Sequence, residues 1–261
     1  VIQLNAEEQR KYDQFFLDAI LERQKGHSAA AFDLLRHCLD INPNASEAHY
    51  FIAQYYNVLG ADSLSLVHFQ RAAELNPDNE TFMETLSQVY IREKDYKTAI
   101  SVAERLYARN KDREDLLELL FQLYQQVKDY PNAISVLERI ENIDGKSERL
   151  SMAKSECYTQ MGNQKAAIAE IAELAKQYPN DLNYQGLYGD LLMMNGEEKQ
   201  ALEVFHQVLK EEPDNSRVLM SLRNYYQTKA DTLSADSLLE RLLLSRHTQQ
   251  ENKVYLIRQE I

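Results

Sequence analysis

The chain has 261 residues, of which 27% are charged, and its formal net charge is −12 at pH 7. Nucleic acids and anionic membrane surfaces attract basic stripes or patches, so this acidic balance argues against either partner. The sequence also contains no apolar run long enough to cross a bilayer, so we expect no direct membrane insertion of this segment.

Prolines recur along the chain at a fixed spacing. Pro43 and Pro77 lie 34 residues apart, as do Pro179 and Pro213, and the gap between the two pairs is three times that length. A period of this length is typical of a helix–turn–helix repeat, in which each unit buries its apolar face only by stacking on the next. The spacing predicts a single array over 1–261, made of seven units and the start of an eighth: 12–45, 46–79, 80–113, 114–147, 148–181, 182–215, 216–249 and 250–261.

The first predicted helix begins near the N-terminus, where Asn5 and Glu8 have the spacing of a capping box. Within each unit, two antiparallel helices need a tight turn at the fifteenth place. Glycine there permits the positive φ that ends a helix sharply, and four units carry it: Gly26, Gly60, Gly162 and Gly196. The other three units carry different residues at this place: Lys94, Lys128 and Ala230.

Small and large residues alternate at fixed places in the units. Tyrosine fills the eleventh place in five units, and mostly large residues fill the twenty-fourth. Six alanines and one serine fill the twentieth, where we expect the two helices of a unit to pack too closely for anything larger: Ala31, Ser65, Ala99, Ala133, Ala167, Ala201 and Ala235.

Asparagine or aspartate follows the place of the unit's last proline. We interpret these residues as N-caps of the next helix, because their side chains can accept its free amide hydrogens: Asn44, Asp78, Asp112, Asn180 and Asp214. Pro131 lies outside the proline series and is expected in the first turn of the second helix of its unit, where its missing amide hydrogen costs nothing.

With an aromatic residue at place 11, Gly at 15, Ala at 20, a large residue at 24 and Pro at 32, the chain resembles a tetratricopeptide repeat protein over residues 12–249. The resemblance implies an all-α fold, a right-handed α-α superhelix of seven helix-turn-helix repeats plus an unpaired C-terminal helix. The chain departs from the pattern at place 4, where the family's Trp or Leu is replaced in three units: His49, Ser151 and Gln185.

The two ends of the sequence predict a longer chain. It begins at Val1 instead of Met, and Val254, Leu256 and Ile257 fall on the packing places of an eighth first helix that has no partner helix. We therefore expect further repeats, and weak self-association of this segment through the uncovered helix 251–261. The resemblance extends to exported bacterial lipoproteins, which favours the periplasm or outer membrane.

No catalytic or metal-ligating constellation stands out. The six histidines are scattered, and Ser151 and Lys154 match an SxxK motif only as one turn of a first helix, without partner motifs. Cys38 and Cys157 lie at packing places in distant units and are expected to be small buried thiols. We assign no catalytic, cofactor-binding or metal-binding residue, and expect a chain that is not an enzyme.

In the family it resembles, the first helix of each unit lines a concave groove. The resemblance implies that places 2, 5, 9, 12 and 13 face this groove, and a solvated helical face without a partner is the competing interpretation. We select the candidate partner-binding residues from the first three of these places: Glu47, Tyr50, Gln54, Glu84, Gln88, Asp115, Glu118, Gln122, Arg149, Glu156 and Asp190.

These residues predict a scaffold that binds a protein or peptide in the groove. Family members that grip chaperone tails need lysine at place 5, and no unit has it, so a carboxylate-clamp co-chaperone is not expected. One alternative is a positioning arm for a catalytic domain outside this segment. Another is a self-assembling structural array.

Overall fold

The computed structural model describes residues 4–259. Within that range the chain forms fifteen α-helices and no strand. The helices alternate with short turns in the order α1 Ala6–Gln24, α2 Ser28–Ile41, α3 Ser46–Val58, α4 Asp62–Leu75, α5 Glu80–Arg92, α6 Tyr96–Arg109, α7 Glu114–Gln126, α8 Tyr130–Asp144, α9 Glu148–Gln160, α10 Gln164–Gln177, α11 Leu182–Met194, α12 Glu198–Glu211, α13 Ser216–Thr228, α14 Thr232–Leu244 and α15 Gln250–Gln259.

The predicted all-α repeat is confirmed. Every odd-numbered helix from α3 to α13 begins at the first place of a predicted unit. The chain forms two compact units, residues 1–129 with helices α1 to α7 and residues 130–261 with helices α8 to α15. Within both, the first and second helices of a pair pack on each other, and each second helix packs on the first helix that follows it. A single array over the whole chain stays a prediction.

The small residues at place 20 lie where the repeat requires them. All seven are buried, and five of them expose none of their surface: Ala31, Ser65, Ala99, Ala133 and Ala201. Ser65 keeps its place because its hydroxyl donates to the Ala53 carbonyl, 2.9 Å away, so the extra polar atom is satisfied. Replacing any of these residues with a larger one would force two helices apart.

The turns between paired helices use a left-handed residue at place 15 in all seven units. Four are glycines, but Lys94, Lys128 and Ala230 have φ values of 61°, 59° and 56°. A side chain in this conformation costs about 1–2 kcal/mol, because the Cβ approaches the following carbonyl. The repeat imposes the turn even where the sequence lacks the residue that best suits it.

The prediction that Asn44, Asp78, Asp112, Asn180 and Asp214 cap the following helices is wrong. Each helix begins one residue later than such a cap would require, so the N-cap is the next residue. Side chains at that position accept amide hydrogens in several pairs: Asn79, Ser147, Asp181 and Asn215. The capping box formed by Asn5 and Glu8 is confirmed.

The C-terminal helix is only partly uncovered. Val254 and Ile257 expose 48% and 49% of their surface, as expected, but Leu256 exposes none. The prediction that Leu256 would be uncovered is wrong, because it belongs to the core formed by α11 to α14 with residues such as Leu222 and Leu242. Residues 260 and 261, at the end of the predicted helix, lie outside the described range. Weak self-association through this helix stays a prediction.

Candidate interaction surface

In each of the two compact units, we define the first-helix face as the surface formed by places 2, 5, 9, 12 and 13 of the odd-numbered helices. In residues 1–129, its aromatic centre is Tyr50. The ring stacks on Phe82 of the next first helix, with 4.7 Å between centroids, and makes an edge contact with Phe69. The Tyr50 hydroxyl lies 3.2 Å from Thr85 Oγ1. Tyr50 therefore joins α3 to α5 and is half-buried, so it has a structural role beside any binding role.

Arg113 links two of the candidate acidic residues. Its guanidinium lies 2.6 Å from Glu84 Oε1 and 2.7 Å from Asp115 Oδ2. Hydrogen bonds from Arg113 hold the pKa of Asp115 below its usual range. Because these two carboxylates are already paired with a cation, they offer little free charge to a partner.

The other candidates on this part of the face differ in exposure. Glu47, Gln88 and Gln122 are exposed, whereas Glu118 is half-buried. Gln54 Oε1 is buried and has no hydrogen-bond partner among the described residues. Only the exposed side chains are open to a partner without rearrangement.

Two adjoining cavities mark the first-helix face of residues 130–261. One, of about 530 Å³, lies between α9 and α11 and is lined by Met152, Glu156 and Leu191 among others. The other, of about 520 Å³, lies between α11 and α13 and is lined by Asp190, Met193 and other residues. Met194 borders both cavities and exposes 82% of its surface, a large apolar area for a side chain in a helix.

Asp190 has a distinctive position in the second cavity. Its carboxylate is half-buried and accepts a hydrogen bond from the Ser221 hydroxyl. Burial raises the pKa of Asp190 above its ordinary value, although the Ser221 hydrogen bond and the charge of Arg217 act in the opposite direction. The candidate residues Glu156 and Asp190 thus line neighbouring cavities. Arg149 is exposed near the start of α9.

Gly186 allows one side chain to cross this face. A Cβ on Gly186 would lie 3.3 Å from Arg217 Cδ, so the Arg217 stem rests on the glycine backbone. Arg217 Nη2 lies 3.6 Å from Glu148 Oε1 of α9. The guanidinium therefore reaches across α11 to Glu148.

The polar residues at place 4 are all satisfied by neighbours on second helices. His49 Nδ1 lies 2.8 Å from His68 Nδ1, and Ser151 donates to Glu170 Oε1 at 3.1 Å. Gln185 Nε2 donates to the Ala175 carbonyl at 2.8 Å. These departures from the repeat pattern replace apolar packing with hydrogen bonds inside the same contact.

A buried ionic cluster lies between α8, α9 and α10. Lys154 pairs with Glu141 and Glu170, and Lys146 lies 3.0 Å from Glu170 Oε1 and 2.9 Å from Glu173 Oε2. Burial alone would lower the pKa of Lys154, but hydrogen bonds to the two glutamates outweigh it and the pKa rises. The ammonium group of Lys154, in the SxxK motif, is thus paired with two glutamates and is not a free amine.

Sequence reasoning missed this cluster, although the repeat frame contains its signal. Lys154, Glu170 and Glu141 stand at places 7, 23 and 28, where apolar residues predominate in the other units. Charges at three packing places that are close in space indicate an internal ion pair. Met193 and Met194 stand at groove places but were not among the selected candidates.

The described part of the chain shows neither a metal-binding group of side chains nor a membrane-spanning helix. Residues 4–259 contain no group of three or more His, Cys, Asp or Glu side chains that could hold a metal ion. Among the described helices, none combines the length and the apolar character required to span a membrane. Cys38 and Cys157 are buried free thiols, as expected, and burial raises the pKa of Cys38 to about 11.

Comparisons with known proteins agree with the repeat geometry. The family model described as anaphase-promoting complex, cyclosome, subunit 3 matches residues 92–174. Anaphase-promoting complex subunit 3 of Schizosaccharomyces pombe is 34% identical over 70 residues, which make up 27% of this chain and 10% of that protein. The chain is a tetratricopeptide repeat protein.

A solved structure shares the fold of this tetratricopeptide repeat protein. A chain in the structure of Naa15/Naa10 bound to HypK-THB superimposes with a TM-score of 0.60 at 15% identity, over 95% of this chain and 38% of that one. A tetratricopeptide repeat protein from Parabacteroides merdae matches over 95% of this chain and 98% of its own, with a TM-score of 0.46 at 16% identity. The chain spans about a tenth of its curated relative. The resemblance to bacterial lipoproteins stays a prediction.

Proposed function

We propose that this tetratricopeptide repeat protein is a non-enzymatic interaction scaffold that holds a partner segment on its first-helix face. The observation that carries the proposal is Met194, a large apolar side chain exposed between two cavities of the same face. An exposed apolar patch with a polar rim is typical of a surface that another protein covers. Methionine suits such a surface because its flexible thioether adapts to different side chains.

The charge of this face indicates which partners fit it. Asp190 and Glu156 line the two cavities, and Arg217 is turned towards Glu148. A partner with an acidic tail would meet carboxylates here instead of the lysines of a carboxylate clamp. We therefore propose a partner with apolar and basic side chains, and not the acidic tail of a chaperone.

Random peptides displayed on phage test this proposal, because the selection works before the natural partner is identified. We expect enrichment of clones on the protein, and loss of their binding to a Met194→Glu variant, because a buried charge would replace the apolar contact. Met161→Glu is the matched control, since Met161 is also exposed but lies in the turn after α9. Binding that survives Met194→Glu, or a selection that enriches no clone, would refute the proposal.

A second candidate is a positioning arm within a larger assembly, which one comparison favours. The curated relative is by name a subunit of a complex, and this chain corresponds to only a tenth of it. The test is to isolate the natural protein that contains this sequence and identify what remains bound after Met194→Glu. A catalytic subunit or domain retained by the variant supports the arm, whereas loss of all partners supports the scaffold alone.

A further inference from the structure

The cavity between α11 and α13 combines a half-buried carboxylate with apolar walls. Asp190 and Asn224 supply polar groups, while Met193, Met194 and Tyr225 supply apolar or aromatic surface. We infer that this cavity, the Asp190 pocket, binds the side chain of an arginine in the partner segment. The inference rests on the proposed function and specifies the chemistry of the partner.

The charges around the pocket leave Asp190 in need of a cation. Glu198 is already neutralised, because Lys229 Nζ lies 2.8 Å from its Oε1 and the Tyr225 hydroxyl donates to its Oε2. Arg217 reaches towards Glu148. The Asp190 carboxylate accepts a hydrogen bond from the neutral Ser221 hydroxyl, which leaves its negative charge for a cationic ligand to neutralise.

The pocket already attracts one cation of the chain itself. Lys229 Nζ lies 5.5 Å from the centroid of the Tyr225 ring while it pairs with Glu198. A ring face and a carboxylate therefore bind an ammonium group at the rim. In the same cavity, the Met193 side chain and the Asp190 carboxylate offer a similar combination to an incoming side chain.

Arginine fits this environment better than lysine. Its flat guanidinium is less strongly hydrated than an ammonium group, so it loses less on entering a half-buried site. It can contact the methionine side chains with its faces while its edge donates two hydrogen bonds to one carboxylate. Because burial disfavours the ionised Asp190, a guanidinium that stabilises this ion gains more here than at an exposed carboxylate.

The adjoining cavity defines the neighbour of the arginine. Met152, Leu191 and Met194 line it, and Met194 separates it from the Asp190 pocket. A single extended segment that covers Met194 would place an apolar side chain in one cavity and a basic one in the other. The partner segment is therefore expected to carry an arginine next to leucine or a similar apolar residue.

The test uses two peptides that differ in one charge. Acetyl-Leu-Arg-Leu-amide and its citrulline counterpart have nearly the same shape, but citrulline is neutral. The protein carries ¹³C in its methionine methyl groups, and the signals of Met193 and Met194 report binding at the pocket. We expect the arginine peptide to shift both signals and to bind about tenfold more tightly than the citrulline peptide, as a charge-assisted pair would.

An isosteric variant tests the role of the carboxylate. Asp190→Asn retains an oxygen for the Ser221 hydroxyl, so the fold is expected to persist, and it should abolish the preference for arginine. Asp236→Asn, at an exposed site on α14, is the control and should keep the preference. Thermal unfolding of each variant verifies that it is folded.

The outcomes separate this inference from the proposed function. Equal affinity for the two peptides, a preference that persists in Asp190→Asn, or no shift of Met193 and Met194 at millimolar peptide overturns the inference. The proposed function fails separately, if phage-selected peptides still bind the Met194→Glu variant. Selected peptides that depend on Met194 but contain no arginine would retain the scaffold and refute the arginine pocket.

Discussion

A hydrogen bond joins the Nδ1 atoms of His49 and His68, which lie 2.8 Å apart. His49 Nε2 lies 2.9 Å from the carbonyl oxygen of Pro43, which can only accept, so this nitrogen carries a hydrogen. His49 Nδ1 is then the acceptor in the neutral ring, and His68 donates. Burial lowers the pKa of both rings, and the charge of Arg71 adds to the effect on His49.

This pair predicts that acid destabilises residues 1–129. The unfolded imidazoles gain protons near pH 6.5, whereas the folded pair gains them at lower pH, so the unfolded state binds more protons between these values. Stability should be complete above pH 6.5 and fall as the pH drops below it. The double variant His49→Leu/His68→Val, which uses residues of the other units, should flatten this dependence in urea unfolding. His247→Gln, at an exposed site, should not.

The ionic cluster predicts that a single substitution destabilises the protein more than a combined one does. Lys154→Met should cost about 3–5 kcal/mol, because it leaves Glu141 and Glu170 buried without one of their cations. The triple variant Glu141→Ala/Lys154→Leu/Glu170→Val restores the apolar residues of other units and should recover most of that loss. Urea unfolding at neutral pH measures both. A triple variant less stable than the single one would show that the cluster contributes more than it costs.

The contact between α11 and α12 predicts a sharp size limit at Ala201. Ala201 is fully buried in a core that includes Phe205 and Leu192. Ala201→Leu should overpack this contact and cost about 1–3 kcal/mol in unfolding free energy. Ala169→Leu, at an exposed position of α10, is the control and should be nearly neutral. Equal stability of the two variants would mean that the repeat frame is wrong in this region.

The strained turn at Ala230 predicts a stabilising glycine. Ala230 has a φ of 56°, and glycine has no Cβ to clash in that conformation. The relief of about 1–2 kcal/mol exceeds the entropy that glycine loses, so Ala230→Gly should stabilise by about 0.5–1 kcal/mol. Ala169→Gly, within a helix, should destabilise by about 0.5–1 kcal/mol. Differential scanning calorimetry of the two variants distinguishes these signs, and a lower Tm for Ala230→Gly would contradict the account.

The repeat frame predicted the parts of the fold that every unit must share. A helix pair closes only with a small residue at the crossing and a left-handed residue in the turn, so Ala201 and Gly196 could be placed from spacing alone. The N-caps were misplaced by one residue, since Asp78 and Asn79 both suit a cap and spacing cannot choose between them. Leu256 was misjudged because the preceding helices, and not only a following one, cover its side of α15.

The candidate site was less predictable, because it depends on features that differ between units. The frame assigns Glu84 and Asp190 to groove places of their first helices, but it does not reveal that Arg113 neutralises one and that the uncharged Ser221 bonds to the other. These differences depend on residues about thirty positions away in sequence. The residue spacing within one repeat identifies the face, whereas contacts between neighbouring repeats determine which part of that face is free to bind a partner.

The most direct test of the account is to locate a bound peptide on the protein. A phage-selected peptide that carries a photoactivatable diazirine can be cross-linked to the protein, and mass spectrometry then identifies the modified residues. We expect cross-links on the first helices α9, α11 and α13, with Met194 and its neighbours dominant. Cross-links on the second helices α10, α12 and α14 would contradict it, because the partner would then bind the opposite side of the helix pairs.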